Sequence, residues 1–142
     1  LSSAASDVYK RQALEEIEAV KGKQVFHKLV IDGKCPLDKF EMELEACYKS
    51  ELTGIYAIMN DVANLKSVPY QKFHFYDDAK GDYREFEFKS KHLRIYGITH
   101  ANGKIIITGG TKANQKKDET LFRKLKKGYI NFKQTSNKRT KT

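Results

Sequence analysis

The chain has 142 residues, 39% hydrophobic and 32% charged, with a net charge of +9. That length supports one domain with its own core and is too short for two comfortable ones. No apolar run approaches the roughly eighteen residues of a membrane span, and two cysteines, Cys35 and Cys47, offer neither a disulfide framework nor a zinc-ligand spacing. A cytoplasmic protein with no metal or other cofactor is the expectation.

Residues 1–12, LSSAASDVYKRQ, begin without methionine and resemble translated sequencing-adaptor read-through. They lack the charged start, apolar centre and cleavage site of a signal peptide, and are read as a disordered extension outside the domain. ALEEIEAV (13–20) brings Ala13, Leu14, Ile17 and Val20 to one face at helical spacing and predicts a short helix before Gly22. KQVFHKLVID (23–32) alternates, is rich in β-branched and aromatic residues, and predicts a strand ended by Asp32-Gly33. Pro36 suits the first turn of a helix with the stripe Leu37, Phe40, Leu44, Cys47 and Tyr48, which would bury Cys47 as an inert thiol. A second helix offers Leu52, Ile55, Tyr56, Met59, Val62 and Ala63, with Gly54 costing about 1 kcal/mol relative to alanine. Together they predict a helical hairpin.

YQKFHFYDDAKGD (70–82) reads as a polar, aromatic loop. YREFEFKS (83–90) then predicts a strand with Phe86 and Phe88 on one face and Glu85, Glu87 and Lys89 on the other. HLRIYGIT (92–99) sets Leu93 and Ile95 opposite Arg94 and Tyr96, and Asn102-Gly103 predicts a type I′ hairpin turn. The nearly continuous apolar run of KIIITG (104–109) predicts a central strand. A last helix from about residue 117 turns Leu121, Phe122, Leu125 and Tyr129 inward and Arg123, Lys124, Lys126 and Lys127 outward. QTSNKRTKT (134–142) reads as a basic, flexible tail. The order β-α-α-β-β-β-α, with helices ahead of an antiparallel meander, predicts a single α+β domain over 13–133, its helical hairpin on one face of the sheet. Arg94, Tyr96 and Lys89 would share the other face.

The charge is concentrated at one end. From Lys104 onward there are twelve Lys/Arg against two acids, and before it fifteen against sixteen. A basic segment of this kind attracts polyanions, nucleic acid above all.

EFEFKSKHLRIYGI, NGKIIITGGTKANQKKD and FRKLKKGY, in that order, resemble the C-terminal half of RelE/ParE-type toxins of bacterial toxin–antitoxin pairs, in particular the RelE/HigB-like branch. FHKLVIDGKCPLDKFEMEL and the helical hairpin fit the same layout, so the resemblance covers roughly residues 24–132. It implies a RelE-like fold and a metal-independent endoribonuclease, an mRNA interferase. Such a protein cuts messages on the ribosome, inhibits translation and is silenced by a cognate antitoxin; ribosome and mRNA are its other partners, with no membrane involved. ParE-like relatives of the same fold inhibit DNA gyrase by binding, and a non-catalytic RNA- or protein-binding module is a third reading.

Attack of a ribose 2′-hydroxyl on the adjacent phosphate needs a base, cations for the charge on phosphorus, and an acid for the leaving oxygen. Arg94 is the first candidate for the transition-state clamp, since a guanidinium grips two phosphate oxygens and keeps its charge. An ion pair with Glu85 or Glu87 is its structural alternative. Lys89 and Lys91 match the family's basic strand-end positions as candidate catalytic residues, although lysines at a strand end also protect an edge. Tyr96, Lys112, Lys116 and Lys117 are the candidate RNA contacts. The three lysines stand where a helix dipole opposes them, a cost that a phosphate reached through Gly109 and Gly110 would reverse; a solvated first turn capped by Asn114 is the alternative. His100, beside the hairpin turn, reads as a solvent-exposed histidine, His27 and His74 have no identified partner, Tyr129 fits the core stripe, and the general acid and base are unassigned.

Overall fold

The computed structural model describes residues 10–76 and 81–140. It is an α+β structure. Six strands, β1 (Gln12–Glu16), β2 (Phe26–Ile31), β3 (Phe73–Phe75), β4 (Glu85–Lys89), β5 (Leu93–His100) and β6 (Gly103–Thr111), form one mixed sheet in the order β1-β2-β6-β5-β4-β3. Helices α1 (Pro36–Glu43) and α2 (Lys49–Ala63) are joined through a 3₁₀ turn, Ala46–Tyr48, and α3 (Gln115–Thr140) follows another, Lys112–Asn114. Among the described residues only the β2–β6 pair is parallel. As its apolar run predicts, β6 is interior, between β2 and β5. Among the described residues no helix is long and apolar enough to cross a membrane.

The sheet separates two apolar layers. Phe26, Phe86, Phe88, Leu93 and Ile95 pack against Leu37 of α1 and Leu52, Ile55 and Met59 of α2. On the other side Leu29, Tyr96, Ile98, Ile105 and Ile107 pack against Phe122 and Tyr129 of α3. The face expected to present Arg94 and Tyr96 is thus closed by a helix.

Several expectations are corrected. Residues 12–16 form a strand, because the edge of β2 supplies a full ladder from Gln12↔Ile31 to Glu16↔His27, which outweighs a weak helical period. Ile17 and Val20 are buried all the same. Arg11, expected in the extension, is bonded to the domain: Arg11 N donates to Asp32 Oδ1 at 2.7 Å, and Asp32 N donates to Arg11 O at 2.8 Å. The rest of the expected extension, residues 1–9, lies outside the described residues.

The α1 stripe breaks at Leu44, whose extended backbone (φ −70°, ψ 133°) takes Cys47 out of phase and leaves it exposed. The aromatic segment read as loop contains β3, recruited by β4 through Phe73↔Phe88 and Phe75↔Phe86; its residues 77–80 lie outside the described residues. The β5–β6 turn consists of Ala101 and Asn102, with Ala101 at φ 50°. Gly103 opens β6 because a Cβ there would stand 2.2 Å from Val25 O. Helix α3 continues to Thr140 through most of the expected tail, of which residues 141 and 142 lie outside the described residues. Leu121, expected inside, is 44% exposed.

Candidate functional site

Beneath the first turns of α3 the sheet carries two polar rows. One runs His74, Glu87, Tyr96, Thr108 across β3, β4, β5 and β6, each residue the register partner of the next. The other runs Lys89, Arg94, Gly110, two positions further along each strand. Side chains two apart share a face, so both rows point toward α3.

Glu87 is 2% exposed. Tyr76 Oη lies 3.2 Å from Glu87 Oε2, Gln115 Nε2 3.4 Å from the same oxygen, and His74 Nε2 3.6 Å from Oε1. Burial pushes the Glu87 carboxyl up, against the lowering effects of His74, the Tyr76 hydroxyl, Arg94 and Lys89. Tyr76 Oη is also 2.8 Å from Glu119 Oε2; with one proton to give, it donates to one carboxylate at a time. Burial likewise pushes the Tyr76 and Tyr96 hydroxyls up. His74 Nδ1, Arg94 Nε and Tyr96 Oη are buried without a hydrogen-bond partner among the described residues. A protonatable carboxyl, an imidazole and a guanidinium with unused bonding capacity form a group able to move a proton and stabilise an anion.

Arg94 is buried, and its Nη1 donates to Ser90 O at 2.6 Å and Leu93 O at 2.8 Å. Its expected alternative, an ion pair with Glu85 or Glu87, does not form; Glu85 instead meets Arg123 Nε at 3.4 Å and Lys126 Nζ at 3.1 Å. Lys89, half-buried, is Arg94's cross-strand partner, and Lys91 is exposed in the β4–β5 turn. Lys112 N donates to His92 O at 2.9 Å, joining the approach to α3 to that same turn, and the side chains of Lys112, Lys116 and Lys117 are exposed. Six predicted cations therefore collect at one end of the sheet. Lys104 does not contribute to this basic surface: it is 6% exposed, bonded to Gln24 Oε1 at 2.7 Å among the rings of Phe26, Phe73 and Phe86.

Two expectations fail on geometry. Tyr96 is fully buried and offers no ring face to a base. The Gly109-Gly110 pair is not an open phosphate loop: a Cβ on Gly109 would stand 2.7 Å from the Phe40 ring, and one on Gly110 1.8 Å from Asp118 Oδ2. Burial raises the Asp118 carboxyl while the Thr111 backbone N–H, bonded to it, lowers it; the net direction is upward. The protein's own acid sits at the start of α3. Beside it opens a cleft of about 340 Å³ lined by residues that include Phe40, Tyr48, Gly110, Thr111 and Asp118.

Sequence reading missed His74, Tyr76 and Glu87 as a group. The alternation of EFEFK already places Glu87 on the face of Lys89, but nothing local brings β3 alongside. Comparison of the chain with family models, characterised proteins and solved structures gives no match.

Proposed function

We propose that this protein is the toxin of a toxin–antitoxin pair with a RelE-like fold, acting in the cytoplasm as a metal-independent endoribonuclease on messages held by the ribosome. The observation that carries the reading is the gathering of Lys89, Lys91, Arg94, Lys112, Lys116 and Lys117 at one sheet end, next to the buried Glu87 group. Cations spaced along an RNA backbone position it, and a fixed guanidinium favours the charge that develops on phosphorus. The observed order, β-β-α-α-β-β-β-β-α, has two strands, β1 and β3, that the expected β-α-α-β-β-β-α lacks. Expression without the antitoxin should arrest growth, with messages cut only while translated; uncut messages under continuing arrest would overturn the reading.

The burial of Arg94 and the covering of Tyr96 by α3 favour a second reading. In it the exposed basic face of α3, with Lys116, Lys117, Lys124 and Lys127, grips a partner without cleavage, as in the ParE-like gyrase inhibitors. Collapse of gyrase-dependent supercoiling while translation continues would select it.

A further inference from the structure

A single carboxylate ties the β4–β5 turn to α2. Glu51 Oε1 accepts hydrogen bonds from Ser90 Oγ and from the His92 backbone N–H at 2.6 Å, and Glu51 Oε2 lies 3.1 Å from His92 Nδ1. Burial by itself would raise this carboxyl, but those bonds and the His92 ring hold it down at about 2. An ionised carboxylate only accepts, so Nδ1 carries the proton and the lone pair of the neutral ring is on Nε2. Tyr48 packs against the imidazole with ring centroids 5.0 Å apart and holds its plane. The side chain is nonetheless 46% accessible, and among the described residues no other hydrogen bond engages the ring.

The same turn carries basic residues: Lys91 precedes His92, the Lys112 backbone N–H donates to the His92 carbonyl, and Arg94 Nη1 donates to the Ser90 carbonyl. Glu51 and Tyr48 are the titratable groups packed against the ring. Fastening the turn requires only a donor, and the His92 backbone and Ser90 already provide two. A ring with a set tautomer and an open basic nitrogen, on a turn that also carries Lys91, is what proton abstraction next to a phosphate requires.

We infer that His92 is the catalytic base of the proposed RNA cleavage and that Glu51 is its positioning residue; this rests on the endoribonuclease reading. Nε2 takes the proton of a ribose 2′-hydroxyl as the 2′-oxygen forms a bond to the adjacent phosphorus. The P–O5′ bond breaks, its electron pair stays on the 5′-oxygen, and that oxygen takes a proton from water. The products are a 2′,3′-cyclic phosphate and a 5′-hydroxyl. The imidazolium, stabilised by Glu51, returns its proton to solvent.

The test uses the full chain and ribosomes programmed with a defined message. His92→Gln should slow single-turnover cleavage by about 10²–10⁴-fold and abolish one limb of the pH–rate profile, with ribosome binding unchanged. Glu51→Gln should slow it less, and Glu51→Asp should recover part of the rate. Nitrogen-15 NMR of the parent protein, which requires no variant to fold, should show the neutral His92 ring protonated on Nδ1. Cleavage by His92→Gln at the parent rate, a slowed rate with both limbs intact, or an Nε2–H tautomer would each overturn the inference and leave the ribonuclease reading standing. A parent protein that cuts no message would overturn both.

Discussion

Tyr96 of β5 lies nearly flat on Phe122 of α3, ring centroids 5.5 Å apart and planes at 21°. That contact closes the sheet face beneath which Glu87 and Arg94 are held. Phe122 is fully buried, so Phe122→Ala should cost about 3–5 kcal/mol, read from urea denaturation. A cost below about 1 kcal/mol would mean that α3 is anchored elsewhere.

Gly110 leaves room for the Asp118 side chain of α3. Gly110→Ala should destabilise by about 1–3 kcal/mol, since its Cβ would meet the Asp118 carboxylate. Adding Asp118→Ala should recover part of that loss, with a coupling of about 0.5–3 kcal/mol in a double-mutant cycle. Purely additive effects would show that the two residues do not meet.

Arg94 and the α3 lysines should separate chemistry from binding. Arg94→Ala should lower cleavage by about two to three orders of magnitude at nearly unchanged ribosome affinity. Arg94→Lys should not restore it, because one ammonium cannot reproduce a planar fork held by the Ser90 and Leu93 carbonyls. Replacing Lys116 and Lys117 by alanine should weaken binding and flatten its salt dependence by roughly 0.7–0.9 in log–log slope per lost phosphate contact. Binding at several salt concentrations, beside single-turnover cleavage, distinguishes the roles; an Arg94→Ala variant that cuts at the parent rate would remove Arg94 from the mechanism.

Glu51 should impose an acid limit on stability. Its carboxyl is held at about 2 against an ordinary value of 4.5, so folding favours the ionised form. The contribution is complete above the ordinary value and is lost as pH falls from about 4.5 toward 2. Melting temperatures measured across that window should fall more steeply for the parent than for Glu51→Gln. Glu87, shifted upward, has the opposite sign: its contribution is present at low pH and fades as pH rises through its folded-state value. Parallel curves for parent and Glu51→Gln would show that Glu51 gains nothing from its bonds in the folded state.

Where burial is periodic along a single segment, the residues alone determined the structure. The helical stripe Leu52, Ile55, Met59, Val62 of α2, the alternation of Phe86 and Phe88 in β4, the apolar run of β6 and the inward Phe122 and Tyr129 of α3 are all legible without a partner, because hydrophobic period encodes element and face together. Which face stays open is a property of what packs on it. The strand at residues 12–16 exists because β2 has a free edge, Tyr96 is hidden because α3 returns across β5, and Gly109-Gly110 is close packing against Phe40 and Asp118. The site follows the same logic. Lys89 and Arg94 are legible as neighbours across one hairpin, but His74 joins Glu87 only through the β3–β4 ladder, and Glu51 reaches His92 from 41 residues away. Contacts between segments that share no local pattern are decided by chain return, and only the tertiary structure supplies it.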